Sequence, residues 1–253
     1  MKAILPFYNN VHALNEHLTP FVNIDEIFVE HQSWLKKHFL PLISMDLGML
    51  NDEWRGQVLH MLNPFEPYDG YIGECTTKYH NKFVSTNWLA FRLTDDNKYE
   101  FLGDERYFAK SSKYKPTDMF DVSVDGKDGC DDFQAYIDES IIYHRFRQQR
   151  FYQTGKLLNV YPNDDGDTTA QNWLDSMGGK LSENMKDWLS DWALPAAFVS
   201  QCQDDELLIT YDDNAFYFIA GVPAYRYGCH GADQIVLLYE PVSRTILFTY
   251  GYI

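Results

Sequence analysis

The feature that most constrains this chain is a series of strand-like segments in its last quarter. These apolar or aromatic segments follow one another with short polar turns between them. Strands joined by such short turns pair antiparallel. The sequence therefore predicts a C-terminal β-meander with a last hairpin turn at residues 241–244, its strands covering residues 197–202, 207–211, 215–220, 234–240 and 245–250.

Helical spacing of apolar residues is typical of much of the chain before that series. Capping residues and proline or glycine stops bound each predicted helix. A β-hairpin over residues 88–102 interrupts the pattern. We therefore predict an α+β fold, with helix-rich N-terminal and central parts packed on a mainly antiparallel sheet. The predicted helices run from residue 25 to a stop at residue 41, from 51 to before residue 63, from 131 to a stop at residue 155, from 168 to residues 178–179, and from 182 to before residue 195.

The size and composition of the chain predict a globular protein with a substantial core. Of its 253 residues, 45% are hydrophobic and 16% aromatic, which excludes a disordered, collagen-like or coiled-coil chain. This length suits one large domain or two small ones. We predict a single α+β domain over residues 1–253, with a subdivision into residues 1–115 and 116–253 as the alternative.

The ends and the cysteines of the chain indicate its compartment. The N-terminal residues lack the basic start and apolar stretch of a secretory signal, and no window approaches the ~18 apolar residues of a membrane helix. Cys75, Cys130, Cys202 and Cys229 form no CxxC pair, so reduced thiols are expected. We therefore predict a cytoplasmic protein without a membrane partner.

The formal net charge of −16 is the strongest functional signal in the sequence. Such a surplus argues against a nucleic-acid partner, because phosphate backbones require basic surfaces. The acidic surplus is concentrated in residues 116–253, and one acidic face there would select a basic protein. The residues predicted to bind that partner are Asp125, Asp128, Asp131, Asp132, Asp204, Asp205, Asp212 and Asp213.

These observations favour a non-enzymatic acidic binding protein that neutralises a basic protein partner. An immunity protein or antitoxin against a bacterial toxin domain would fit this description. No cofactor is predicted, and the sequence leaves the oligomeric state open. A structural or assembly component is an alternative, which a concentration-dependent oligomer would reveal.

A hydrolase is the enzymatic alternative, with a metal-assisted centre or with Cys229 and His230 in the site. These two residues are adjacent between Gly228 and Gly231, so a turn would have to bring the imidazole to the thiol. A reactive cysteine also requires a lowered pKa. The phosphate-binding motif GxxxxGK[ST] and the nucleophile motif GxSxG are both absent from the sequence.

An acidic loop resembles the spacing of an EF-hand calcium loop. Asp121, Ser123, Asp125 and Asp132 occupy its first, third, fifth and twelfth positions, and a glycine occupies the sixth. The pattern departs from an EF-hand because Asp128 replaces the usual apolar residue and an aspartate replaces the last glutamate. We therefore expect a solvated loop, with calcium binding as the alternative and no other metal site.

Overall fold

The protein is described here by a computed structural model of the whole chain. The structure describes residues 4–65, 71–111, 129–162, 169–181, 189, 191–203 and 206–252, except the side chains of residues 129–132 and 203. Most of the described regular structure is antiparallel sheet. Its strands are β1 (Phe7–Val11), β2 (Leu18–Pro20), β3 (Phe39–Asp46), β4 (Val58–Pro64), β5 (Trp88–Leu93), β6 (Tyr99–Phe101), β7 (Leu174–Gly178), β8 (Phe198–Gln203), β9 (Glu206–Tyr211), β10 (Asn214–Ala215), β11 (Tyr217–Val222), β12 (Gln234–Glu240) and β13 (Thr245–Gly251).

One long helix, α1 (Gly129–Thr154), accompanies these strands. Gly155 follows it with a φ of 69°, the left-handed conformation that commonly ends a helix, so the predicted helix over residues 131–155 is confirmed. None of the described helices is both long and apolar enough to cross a membrane. The other described helices are 3-10 helices at Ile24–Glu26, Glu30–Lys37, Leu47–Met49, Asp52–Trp54, Glu74–Tyr79, Glu105–Tyr107 and Ala224–Tyr227.

The predicted helix-rich α+β architecture is wrong, because the chain is mostly β. The helices expected over residues 25–41 and 51–63 are short 3-10 helices followed by β3 and β4, and the helix expected over 168–179 contains β7. Both β3 and β4 are nearly continuous apolar runs that are buried on both faces. Period alone does not separate such a run from a buried helix, which explains the error. Residues 182–188 and 190 of the last predicted helix lie outside the described residues.

The hairpin over residues 88–102 is confirmed, and strands are present in all five C-terminal segments, but they do not form one meander. The strands β8, β9 and β10 form a separate small sheet, and the predicted strand over residues 215–220 is divided between β10 and β11. The main sheet has the strand order β1-β7-β11-β12-β13-β5-β6, in which β11, β12 and β13 are consecutive antiparallel neighbours. This sheet contains strands from residues 1–115 and from residues 116–253, the two parts of the alternative subdivision. Adjacent residues of β12 and β13 face opposite sides, and both sides are buried.

Two hydrophobic cores flank the main sheet. Leu237 and Phe248 contribute to the larger core, which also contains residues of β3 and β4 from the sheet β2-β3-β4. Leu238 and Leu247 contribute to the smaller core, which contains Phe198 and other residues of the sheet β10-β9-β8. The main sheet is therefore the middle layer, and each small sheet covers one of its faces.

Helix α1 is fastened beside β3 by buried polar side chains. The Nε2–H of His144 donates a hydrogen bond to the carbonyl oxygen of Pro41 at 2.8 Å. The fully buried guanidinium of Arg147 donates to the Arg226 carbonyl oxygen at 2.6 Å and stacks on the ring of Tyr161. These contacts fix the helix face that borders the sites described below.

A buried carboxylate closes the turn between β12 and β13. Glu240 is fully buried, and its carboxylate accepts hydrogen bonds from the backbone N–H groups of Val242 and Ser243 at 2.6 and 2.8 Å and from the Ser243 hydroxyl. Four residues separate the two strands here, as predicted from the sequence. This acid therefore serves the fold of the hairpin.

Candidate functional site

The turn before β12 places Cys229 and His230 in different surroundings. Cys229 is buried, and its Sγ lies 3.9 Å from the carbonyl oxygen of Tyr227. Burial raises the pKa of the Cys229 thiol far above its ordinary value. Since the thiolate is the nucleophilic form, this environment disfavours reaction at Cys229.

The imidazole of His230 instead contacts α1. Its Nε2 lies 2.9 Å from the Oε2 of Glu139, and its ring stacks on Tyr136 with 4.5 Å between ring centroids. The Tyr143 hydroxyl donates to the Oε1 of Glu139 at 2.6 Å, and this hydrogen bond is the main cause that lowers the pKa of Glu139. Sequence reasoning missed these partners, although helical spacing places Tyr136, Glu139 and Tyr143 on one face of α1.

This arrangement orients the imidazole but does not present a nucleophile to it. Among the described side chains, the ring nitrogens of His230 have Glu139 as their hydrogen-bond partner and no serine, threonine or cysteine. The backbone N–H of His230 donates to the buried Ser140 hydroxyl at 3.0 Å, so that hydroxyl supports the turn. The contacts of His230 with Tyr136, Glu139 and Ser140 therefore join the turn before β12 to α1.

The structure describes little of the predicted metal site. Asp121, Ser123 and Asp125 lie outside the described residues, as does the side chain of Asp132. The predicted solvated loop and its alternative, calcium binding, therefore both stay untested. Within the described part of the chain, no three His, Cys, Asp or Glu side chains come together in a way that could hold a metal ion.

Two of the predicted partner-binding acids are fully described. Asp212 and Asp213 are exposed and form the two-residue turn between β9 and β10, where Tyr211 pairs with Asn214. Both have left-handed backbones, with φ of 49° and 62°. Asp131 and Asp132 lie at the start of α1, but their side chains are outside the described part, and Asp125, Asp128, Asp204 and Asp205 lie outside it altogether.

Several other carboxylates of the molecule form ion pairs. The Asp25 carboxylate lies 2.7 Å from the ammonium of Lys36, and Asp175 lies 2.6 Å from the guanidinium of Arg226. Among the described residues, no lysine, arginine or histidine forms an ion pair with Asp212 or Asp213. We call these two residues the acidic turn.

A cleft of about 400 Å³ lies between α1 and the start of β3. We call it the basic cleft, because Lys36, Lys37, Lys110 and Arg145 are its charged lining residues. Its volume is within the range of small-molecule sites. The uncharged lining consists of Val22, Asn23, Ile24, Phe39, Leu40, Pro41, Phe65, Ile141, His144 and Gln148.

Two buried histidines lie near the cations of the basic cleft and add no positive charge to it. Burial lowers the pKa of His144 to about 4. Burial, together with the nearby Lys37 and Lys110, lowers the pKa of His38 to about 3. The His38 ring stacks on Phe108, and its Nε2 lies 2.8 Å from the Ser111 hydroxyl. Both imidazoles are therefore neutral at pH 7, and the positive charge at the cleft belongs to lysine and arginine.

Sequence reasoning missed the basic cleft because its cations come from three distant segments. Lys36 and Lys37 end a 3-10 helix, Lys110 follows another, and Arg145 lies on α1. No motif joins these positions in the sequence.

In comparisons with known proteins, no family model, curated protein or solved structure matches the chain.

Proposed function

We propose that this chain is a cytoplasmic binding protein that neutralises a basic protein partner through acidic residues, as an immunity protein or antitoxin does to a toxin domain. The observation that supports this proposal is the acidic turn, where two exposed carboxylates stand without a cationic partner among the described residues. A net charge of −16 disfavours phosphate backbones and anionic lipid surfaces as alternative partners.

Folding alone does not favour the second acid of the acidic turn. A two-residue hairpin turn with positive φ at both positions favours Asn-Gly or Asp-Gly, so Asp212 suits its position whereas Asp213 occupies the position where glycine is preferred. Two adjacent carboxylates also repel each other. A role in binding explains why the chain has Asp212 and Asp213 here, since exposed acids speed encounter with a cationic partner and select it.

The surroundings of Cys229 also favour binding over the hydrolase alternative. Its thiol is buried and is held in the neutral form, while His230 is oriented by Glu139. We expect Cys229 to react with an alkylating reagent far more slowly than the exposed Cys202, as measured by mass spectrometry of the native protein. Selective fast modification of Cys229 near pH 7 would instead favour the hydrolase.

The decisive experiment measures association with the product of the neighbouring gene. We expect that gene to encode a basic toxin or nuclease module, whose association rate falls steeply as salt rises from about 50 to about 500 mM. The double variant Asp212→Asn with Asp213→Gly removes two charges and should slow association roughly three- to tenfold at low salt.

A matched variant removes the same charge elsewhere. Glu30→Gln with Glu53→Gln neutralises two exposed carboxylates on 3-10 helices, and we expect it to leave the association rate within about twofold of the native value. Equal slowing by both variants would assign the effect to net charge and count against a specific acidic turn. A neighbouring metabolic gene, or no association with a basic neighbour, would contradict the proposed function.

A further inference from the structure

We propose that the basic cleft is a second binding site, which takes a small organic anion with an apolar body and a carboxylate or phosphate head. This site is separate from the acidic turn and has the opposite preference for charge. The inference does not depend on the identity of the protein partner.

The first step of the argument is the placement of two unmatched cations. Lys36 and Lys37 already form ion pairs with Asp25 and Glu105, at 2.7 and 2.6 Å. In contrast, neither Lys110 nor Arg145 forms an ion pair with any described residue. These two residues approach the same cleft from different elements, so one bound anion would interact with both.

The surroundings of Lys110 increase the value of such an anion. The Lys110 side chain is exposed as a whole, but partial burial of its ammonium group lowers the pKa of that group, and the positive charge of Lys37 acts in the same direction. Asp138 on α1 opposes this shift electrostatically without coming within ion-pair distance. A carboxylate or phosphate beside Lys110 would compensate for the lost hydration of its ammonium group.

The uncharged lining determines the rest of the ligand. The Phe65 side chain is buried, and the Lys110 ammonium lies 5.5 Å from the centroid of its ring. Phe39, Pro41 and Ile141 continue this apolar lining. A cleft of about 400 Å³ exceeds the size of an inorganic ion, so its apolar lining suits a ligand that has an apolar body as well as an anionic head.

The local charge balance predicts modest affinity. Asp25 and Glu105 form ion pairs with Lys36 and Lys37, Asp138 acts electrostatically on Lys110, and the whole chain is strongly negative. Long-range attraction therefore does not recruit an anion, and binding depends on contacts within the cleft. We expect dissociation constants between about 0.1 and 1 mM for simple probes, weakening as salt rises.

The test uses the full chain with octanoate and phenyl phosphate as probes, measured by calorimetry. Their controls are 1-octanol, which lacks the charge, and inorganic phosphate, which lacks the apolar body. We expect one anionic probe to bind at least about tenfold more tightly than both controls. Preference for octanoate would assign a carboxylate ligand, and preference for phenyl phosphate a phosphate ligand. Equal binding of a neutral and an anionic probe, or no saturable binding below about 10 mM, would overturn the proposal.

Variants then locate the bound anion. Lys110→Gln with Arg145→Gln should weaken binding of the preferred probe about tenfold or more, while Lys156→Gln, an exposed lysine just beyond α1, should change it less than twofold. Thermal unfolding confirms that each variant is folded. Unchanged affinity in the folded double variant would exclude the basic cleft as the binding site, and the proposed role of the acidic turn would be unaffected.

Discussion

The basic cleft and the acidic turn use charge in opposite ways. The cleft is concave and has an apolar lining, and two buried neutral histidines lie near its cations. The acidic turn protrudes from the small sheet β10-β9-β8, and its carboxylates have no cationic partner among the described residues. A net charge of −16 describes neither region well, because function depends on where unmatched charges lie.

Acidification should destabilise the side of the main sheet that contains the basic cleft, and this is the largest effect that we predict. Among the described residues, the buried histidines are His38, His60 and His144, and all three belong to the side that contains the cleft. Burial lowers the pKa of His60 to about 4, as it does for His144, and that of His38 to about 3. The unfolded chain therefore binds protons that the folded chain does not.

Stability is thus complete above the ordinary histidine pKa near 6.5 and decreases as pH falls towards about 4. We expect a loss of several kcal/mol between about pH 7 and about pH 4.5, measured by urea denaturation. The slope of the free energy of unfolding against pH reports how many protons the chain takes up on unfolding, and in His60→Gln this number should fall by about one. The exposed His31→Gln is the control, and equal slopes in the native protein and both variants would contradict this prediction.

The acidic turn should gain stability when its acids are replaced. Asp212→Asn with Asp213→Gly supplies the residues that the left-handed turn favours and removes the repulsion between the carboxylates. We expect the free energy of unfolding to rise by about 0.5–1 kcal/mol while partner association slows. Glu30→Gln with Glu53→Gln should change the free energy of unfolding by less than about 0.5 kcal/mol. A loss of stability in the turn variant would show that the acids serve the fold.

The cations of the basic cleft should contribute little to folding. Lys110 and Arg145 are exposed, and neither forms an ion pair with a described residue. We expect Lys110→Gln with Arg145→Gln to leave the free energy of unfolding within about 0.5 kcal/mol of the native value. A loss above about 2 kcal/mol, measured by urea denaturation, would show that these cations are structural.

The two sites should also be independent of each other. The acidic turn belongs to the sheet on one face of the main sheet, and the cleft includes β3 on the other face. We therefore expect the turn variant to bind octanoate and phenyl phosphate with unchanged affinity, and the cleft variant to associate with the protein partner at the native rate. Calorimetry and association kinetics check the two halves, and an effect above twofold in either direction would show coupling.

The sequence predicts elements well where local signals agree. Capping acids, an apolar face and Gly155 all indicate α1, and two strand-length apolar runs joined by a four-residue turn indicate β12 and β13. It misleads at β3, where the run from Phe39 to Met45 is buried on both faces and contains a proline beside a β-bulge. Helical spacing in the preceding residues then extended a predicted helix across what is a 3-10 helix and a strand.

The sites differ in how far the sequence predicts them. Adjacent acids between two strand-like segments indicate an exposed turn, so Asp212 and Asp213 are found from local sequence. The basic cleft requires Lys37, Lys110 and Arg145 to meet, and only the tertiary fold brings them together. The contact between His230 and Glu139 likewise depends on how α1 packs on the turn before β12.

Glu240 shows that not every acidic side chain in a sequence is available to a molecule that approaches the folded protein. Its carboxylate is buried and accepts hydrogen bonds from the backbone N–H groups of Val242 and Ser243 in its own hairpin. Acids such as Asp175 are likewise cancelled by a neighbouring guanidinium. Fewer than the 37 acidic side chains of the sequence are therefore available for recognition, although the net charge stays at −16 because that figure already subtracts the 21 lysines and arginines.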